Sequence, residues 1–506
     1  MPVARTLSVA LRGVDGALVE IEADLANGLP AFTIIGLPDA ALGEAKDRVR
    51  SAAANSGCDL PSRKVTVNLS PASVPKHGSG FDLGIAVAAL ATTGIVSHEA
   101  IEAVVHLGEL SLDGRLRPVA GVLPAVLAAR RGGARAVVVP SGNADEARLV
   151  PGIRVIAAAS LRDVLIGHGA ALDPVPVEAL VAADADGPRP ETGDLADVVG
   201  HPEAVEALQV AAAGGHHMLM LGPPGAGKTL LASRLPGLLP DLEPDAAVEV
   251  SSVRSLAGLP LGASLVTRPP LEAPHHSATM ASLVGGGSGL VRPGAISRAA
   301  HGVLFLDEAP EFSGAVLDAL RQPLETGEIT IHRARTVARF PARFQLVLAA
   351  NPCPCGQGGG DDCTCTPMMR RRYLGRLSGP LLDRIDLHLT VRRVSVAQMT
   401  EGATGPVTTA DARARVVAAR ARARDRWGSE GWHLTAHVPG AALRGHRWRL
   451  PAADRGALDR ALERGALTMR GYDRVLRVAW TLCDLDGDER PSADHVGRAL
   501  YLRKGI

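Results

Sequence analysis

The stretch Leu219-Met-Leu-Gly-Pro-Pro-Gly-Ala-Gly-Lys-Thr229 decides the fold. An apolar run, Met218 to Leu221, breaks into Gly222, Pro223, Pro224, Gly225, Ala226, Gly227, Lys228 and Thr229; Leu230, Leu231 and Leu235 follow at helical spacing. That order predicts a strand, a phosphate-cradling loop and a helix in the G-x-x-x-x-G-K-[ST] spacing. Glycines let the backbone curl with its N–H groups facing an anion and no side chain in the way. The helix aims its positive end at the same place. Lys228 has the reach for the β- and γ-phosphates of ATP, and Thr229 supplies a hydroxyl for Mg²⁺.

Hydrolysis needs acids as well, and Val303-Leu-Phe-Leu-Asp-Glu308 provides two at the end of a buried-type strand. Asp307 is placed to hold Mg²⁺ and Glu308 to polarise an attacking water. Together with the loop they point to an ATPase.

The chain has 506 residues, room for two or three domains, with 46% hydrophobic and 21% charged residues. A formal net charge of +1 excludes a global field toward DNA or membrane, so any nucleic-acid contact must come from local patches. Aromatics at 3% favour backbone tracking over base stacking. The start, Met1-Pro-Val-Ala-Arg, lacks the shape of a secretory signal, and the apolar run from Gly84 to Val96 is too short to cross a bilayer. Six cysteines, four of them clustered, suit a reducing compartment. The expectation is a cytoplasmic protein with no membrane contact.

Residues 1–172 alternate strand-like segments (17–23, 31–35, 64–69, 104–110, 136–140) with helical ones (40–56, 83–93, 122–131), as an α/β domain should. Two stretches here, Leu107-Gly-Glu-Leu-Ser-Leu-Asp-Gly-Arg-Leu-Arg-Pro-Val-Ala-Gly and Val74-Pro-Lys-His-Gly, resemble the Lon-type protease domain, which has a ribosomal-protein-S5-like α/β fold. Gly80 falls where that family places its serine nucleophile, with Ser79 one residue away, and Val122-Leu-Pro-Ala125 replaces the segment carrying its lysine. A serine without its base is not activated. The expectation is a Lon-like domain without protease chemistry. Residues 173–194, rich in Pro, Asp and Gly, read as a linker.

The region 195–394 is similar to the AAA+ ATPases, with Val198, Val199 and Gly200 matching their adenine pocket. Ala273-Pro-His-His-Ser, Ala281-Ser-Leu-Val-Gly-Gly-Gly-Ser, Arg292-Pro-Gly-Ala-Ile-Ser and Leu317-Asp-Ala-Leu-Arg-Gln-Pro-Leu-Glu-Thr-Gly narrow the resemblance to the ComM/YifB family of Mg-chelatase-like AAA+ ATPases. It covers nearly the whole chain and implies a DNA helicase acting in branch migration, working as a homo-hexamer. It also implies that Asn351 senses the γ-phosphate and that Arg384 is an arginine finger for the neighbouring subunit's site. Arg470 is the matching lid sensor, with Arg474 as the alternative. In MCM-like relatives a hairpin such as the one expected over 325–343 enters the central channel, which makes Arg333 and Arg335 DNA-phosphate contacts. The glycine-rich 284–292 is a second pore-loop candidate. A chelatase-type motor remodelling a protein partner is the alternative, and a peptidase or a non-hydrolysing ATP-binding scaffold are weaker ones.

Cys353, Cys355, Cys363 and Cys365 form two C-x-C pairs seven residues apart, a ligand set for structural Zn²⁺ expected to hold the Asn351 strand in register with the Arg384 helix. Four thiols in a mobile loop is the other reading. Residues 395–506 read as a helical lid, with helices over 410–427, 453–464, 472–484 and 492–503. The arginine-rich run 412–426 reads as a solvated helix face, with nucleic-acid contact as the alternative.

Overall fold

The structure is a computed structural model that describes residues 3–37, 39–180, 193–287, 291–332, 337–357, 363–395 and 407–503. Arg333 and Arg335, residues 288–290 of the glycine-rich loop and 181–192 of the linker lie outside the described residues.

The first unit is a seven-stranded sheet of β1 (Ala4–Arg12), β2 (Asp15–Ala26), β3 (Ala31–Ile35), β4 (Lys64–Ser70), β5 (Val104–His106), β6 (Ala136–Pro140) and β7 (Arg154–Ala158). Their order is β3-β4-β2-β1-β5-β6-β7, with the β1–β2–β4 pairs antiparallel and the others parallel. In β2, Val19, Ile21, Ala23 and Leu25 are buried between Glu20, Glu22 and Asp24, the period-2 pattern of a one-sided strand. β6 is buried at every position because helices cover both faces. On one face lie α1 (Ala45–Asn55) and α2 (Asp82–Ala91), on the other α3 (Val122–Arg131). The stretch 40–56 is not one helix, since the chain breaks at Glu44 between Ala40–Gly43 and α1. Nor is 104–110 one strand: it divides into β5 and Glu109–Leu110, with the Gly108 N–H turned to the carbonyl of Gly80 at 3.0 Å.

The second unit is a wholly parallel sheet of β8 (Met218–Leu221), β9 (Leu271–Glu272), β10 (Val303–Leu306), β13 (Gln345–Ala350) and β14 (Leu387–Thr390), ordered β9-β10-β13-β8-β14. Its core helices include α4 (Pro202–Gly214), α5 (Lys228–Leu238) and α6 (Pro244–Leu256). The expected hairpin is present as β11 (Glu328–His332) paired with β12 (Val337–Pro341), which fall between β10 and β13 in the chain.

The first unit docks on this hairpin and on α6, away from the nucleotide-motif sheet. Gly13 bridges Arg339, and the Val14 N–H donates to the Arg339 carbonyl at 3.3 Å. Leu11 and Val14 pack with Leu256, Ala338 and Phe340. A Cβ at Gly13 would meet the Arg339 carbonyl oxygen at 2.0 Å, so only glycine permits this approach.

The C-terminal helices α7 (Pro367–Leu374), α8 (Thr409–Trp427), α9 (Ala452–Glu463), α10 (Met469–Asp486) and α11 (Ala493–Tyr501) follow. Helix α8 buries Ala412, Val416, Ala419, Ala423 and Trp427, a stripe at helical spacing. Arg415, Arg422 and Arg424 are exposed, as a solvated face requires, but the arginines of the helix also take protein partners. Arg413 bonds to the Leu239 carbonyl, Arg415 to Gln209, Arg420 to the Ala212 carbonyl, Arg422 to the Asp484 carbonyl, Arg424 to Glu243 and Arg426 to Asp484. They mortar the lid to the core and to itself, a long-range pairing that a charge run does not reveal. All four tryptophans of the chain gather here: Trp427, Trp448 and Trp480 stack edge to face with centroids 4.5–5.9 Å apart, and Trp432 lies 6.4 Å from Trp427.

Candidate nucleotide-binding site

The loop 222–227 leaves the C-terminal end of β8, the end at which open parallel sheets bind ligands. Gly225 (φ +75°) and Gly227 (φ +86°) take the left-handed conformation that curls the loop. Gly222 is required for another reason, since a Cβ there would meet the Val391 carbonyl oxygen at 2.2 Å.

Lys228 opens α5 and is 8% exposed. Its Nζ donates to the carbonyls of Gly222 (2.6 Å) and Pro223 (3.0 Å) and to Asn351 Oδ1 (3.1 Å). Burial lowers its ammonium below the ordinary lysine range, opposed by the charges of Asp307 and Glu308. Asn351 reaches it because β13 lies between β8 and β10. From the β10 side, Asp307 Oδ2 accepts from Thr229 Oγ1 at 2.7 Å, and Asp307 Oδ1 accepts from the Glu308 N–H at 2.9 Å. The three sequence segments thus meet at one sheet edge.

Glu308 is held at φ +50°, uncommon for a residue with a Cβ. Its carboxylate stands 3.1 Å from His276 Nδ1, and His276 stacks on His275 with centroids 4.0 Å apart. His276 lies in the Ala273-Pro-His-His-Ser stretch that carries the family resemblance, but nothing in that stretch names a partner 32 positions away.

The predicted arginines each take protein partners in this chain. Arg384 follows the short helix Gly379–Leu382, pairs with Glu325 and donates to the Pro380 carbonyl at 2.5 Å. Arg470 is exposed, 3.5 Å from Asp383. Arg474 is committed to the buried Asp386, which is 2% exposed.

The four cysteines converge, all Sγ atoms lying within 4.8 Å of one another. Cys353 Sγ is 3.3 Å from Cys355 Sγ and 3.8 Å from Cys363 Sγ, and Cys355 Sγ is 3.6 Å from Cys363 Sγ. Tetrahedral thiolates at the usual zinc–sulfur distance sit about 3.8 Å apart, so the cluster has dimensions that could hold a metal.

In the first unit, Ser79 donates to the Glu109 carboxylate. Lys76 is fully buried, its Nζ bound to the carbonyls of Gly36, Leu69 and Pro71 at 3.0, 2.8 and 2.5 Å. Val122 and Leu123, where the Lon-type lysine segment falls, are buried apolar residues of α3. Among the described residues no helix is long and apolar enough to cross a membrane.

A parallel sheet with the loop strand and the Asp307 strand separated by the Asn351 strand is the arrangement of an AAA+ core. Three family models match accordingly: magnesium chelatase subunit ChlI over 194–399, subunit ChlI of Mg-chelatase over 21–143, and the ChlI C-terminal model over 406–503. An uncharacterized protein of Mycobacterium tuberculosis is 50% identical over 100% of this chain and 99% of its own length. Competence protein ComM of Haemophilus influenzae is 42% identical over 99% of this chain and 98% of its own, and YifB of Escherichia coli 39% over 98% and 96%. The chain belongs to the ComM/YifB family of Mg-chelatase-like AAA+ proteins. Part of it is also similar to Lon protease of Rhizobium meliloti, 30% identical over 33% of this chain and 22% of the protease.

Proposed function

We propose that this chain is an ATP-hydrolysing motor that acts on DNA, a helicase of the branch-migration kind working as a hexameric ring. The observation that carries the ATPase reading is the meeting of Lys228, Thr229, Asp307 and Asn351 at one sheet edge. Residues Gly222 to Thr229 would hold ATP. Thr229 and Asp307, two hard-oxygen donors 2.7 Å apart, suit Mg²⁺, which when bound neutralises phosphate charge.

The chain's own groups divide the remaining work. Lys228 binds phosphate and Asn351 orients that lysine. Glu308, steadied by His276, holds the attacking water and accepts its proton. Arg384 serves the neighbouring subunit's site and Arg470 the lid, both proposals that rest on the family resemblance. The Lon-like unit is non-proteolytic in this reading: Ser79 faces a carboxylate, and the nearby Lys76 is consumed by three carbonyls. The cysteine cluster holds structural zinc, and the protein works in the cytoplasm.

DNA enters the reading through the hairpin, whose sequence places Arg333 and Arg335 between the two paired strands. One relative is named a competence protein. The test is ATPase activity with and without DNA, together with strand displacement and branch migration on forked and four-way duplexes. ATP-dependent strand movement supports the reading. Robust ATPase indifferent to DNA, with no strand movement, overturns the DNA part in favour of a motor that remodels a protein partner.

A further inference from the structure

The segment that carries Arg384 is held by the lid of its own chain. Arg474, in the second turn of α10, donates to the backbone carbonyl of Arg384 at 3.1 Å and to the carboxylate of Asp386. Asp386 is 2% exposed, and its other oxygen lies 2.9 Å from His216 Nδ1. His216 Nε2 then meets Thr481 Oγ1 at 2.8 Å. Thr481 is two helical turns beyond Arg474 on the same face of α10, so the network leaves the lid helix, passes through the finger segment and returns. Neighbouring backbone groups are held the same way. Arg503 donates to the Ile385 carbonyl at 2.7 Å, and the His388 N–H donates to the Leu502 carbonyl at 2.7 Å.

We propose that Arg474 is a positioning residue for Arg384: the lid sets the finger that its own chain presents to the neighbouring site. This rests on reading Arg384 as a finger in trans. Arg474 is the alternative lid sensor, but its Nη1 is taken by Asp386 and the Arg384 carbonyl. Its Nη1 contacts two points one residue either side of Ile385, the Arg384 carbonyl and the Asp386 carboxylate, and so fixes the direction in which the Arg384 side chain leaves the backbone. Among the described residues Arg384 carries only the exposed Glu325 and a carbonyl as side-chain partners, so its aim depends on its backbone. His216 stands two residues before β8, which ties the same network to the strand that feeds the phosphate loop. A lid that moves with its own nucleotide would therefore move the finger offered next door.

Subunit mixing tests this, because residues acting on their own site and residues acting on the neighbour's complement differently. Arg474→Lys keeps the positive charge that the buried Asp386 requires but ends one bond short of the Nη1 position that meets both oxygens, and its melting temperature checks the fold. Its kcat should fall roughly 10- to 100-fold, the effect of displacing a catalytic group by about an ångström, with KM for ATP within about twofold. In rings shown to be mixed by differential tags, Arg474→Lys with Lys228→Ala should recover ATPase, since one interface pairs an intact loop with an intact finger. Arg474→Lys with Arg384→Ala should not recover. Recovery in that second mixture would show that Arg474 acts on its own site and overturns the proposal. So does unchanged kcat, or failure in both mixtures while Arg384→Ala and Lys228→Ala complement each other. If those two also fail to complement, the finger assignment itself has failed and the proposal falls with it. Asp386→Asn, which keeps a hydrogen-bonding group but not the ion pair, should give the same complementation pattern.

Discussion

Gly356 of the cysteine loop rests on Pro224 of the phosphate loop: a Cβ at Gly356 would meet Pro224 Cδ at 2.6 Å and Cγ at 2.7 Å. The cysteine cluster, read as holding the Asn351 strand in register with the Arg384 helix, also reaches the loop that would cradle phosphate, through the left-handed turn at Gly356 (φ +82°). Metal removal is therefore expected to reach nucleotide binding directly. Elemental analysis should find about one zinc per chain, lost in the Cys353→Ser, Cys355→Ser variant, whose KM for ATP should rise. Gly356→Ala should raise KM too, and destabilise by about 1–3 kcal/mol from strain at positive φ. Zinc well below one per chain, or KM unmoved in both variants, would remove the link.

Lys228 and Glu308 should separate binding from chemistry. Lys228→Ala should lose nucleotide binding, because the phosphates lose their cation. Glu308→Gln should bind ATP normally while turnover falls roughly 100-fold or more, since an amide does not take a proton from water. His276→Ala should give a smaller fall with the same signature, because the Glu308 carboxylate loses its lateral support. Fluorescent-nucleotide titration beside steady-state ATPase distinguishes the two; full turnover in Glu308→Gln would exclude that residue as the base.

DNA contact by the hairpin should be electrostatic. Replacing Arg333 and Arg335 with alanine should weaken binding across sequences and reduce the slope of log affinity against log salt by about one per lost phosphate contact, so roughly two for the pair. Binding measured between low and physiological salt gives the slope directly. An unchanged slope would mean that the tip does not meet phosphate.

Acid should weaken the first unit through His106. This side chain is fully buried between Thr6 and His168, and burial pushes its imidazolium down to about 3. The unfolded chain takes up a proton near pH 6.5 that the folded chain refuses until about pH 3. Its folded state therefore loses stability as pH falls through that window, at up to about 1.4 kcal/mol per pH unit. His106→Asn carries no such term, so its stability deficit against the unmutated protein should shrink by about 2 kcal/mol between pH 7.5 and 5. Denaturant melts at the two pH values measure it; a constant deficit would mean that the imidazole is charged in the folded protein.

Local rules made much of this legible. The helix 122–131 and the strand 136–140 fall where apolar periodicity put them. The loop 222–229 is set by chain-local geometry that residue type alone determines. Two edges of the pattern failed for identifiable reasons. Strand β1 is not legible in the sequence because Thr6 and Ser8 interrupt its apolar alternation, yet both are buried and satisfied by the carbonyls of Ile101, Val104 and His106. The arginines of α8 and the pairing of Arg474 with Asp386 depend on partners 58 to 208 positions away, and no spacing rule carries that. His276 beside Glu308 belongs to the same class. What the sequence hides in this chain is partnering between distant side chains.

The gathering of every indole of the chain at the lid has a practical consequence. With Trp427, Trp432, Trp448 and Trp480 in one cluster, and the Arg426 guanidinium 4.5 Å above the Trp480 ring, all tryptophan emission originates in the lid. The unlabelled protein thus carries its own optical gauge. A change in emission on adding nucleotide, DNA or a second variant reports movement of the lid alone, with the first unit and the ATPase sheet silent.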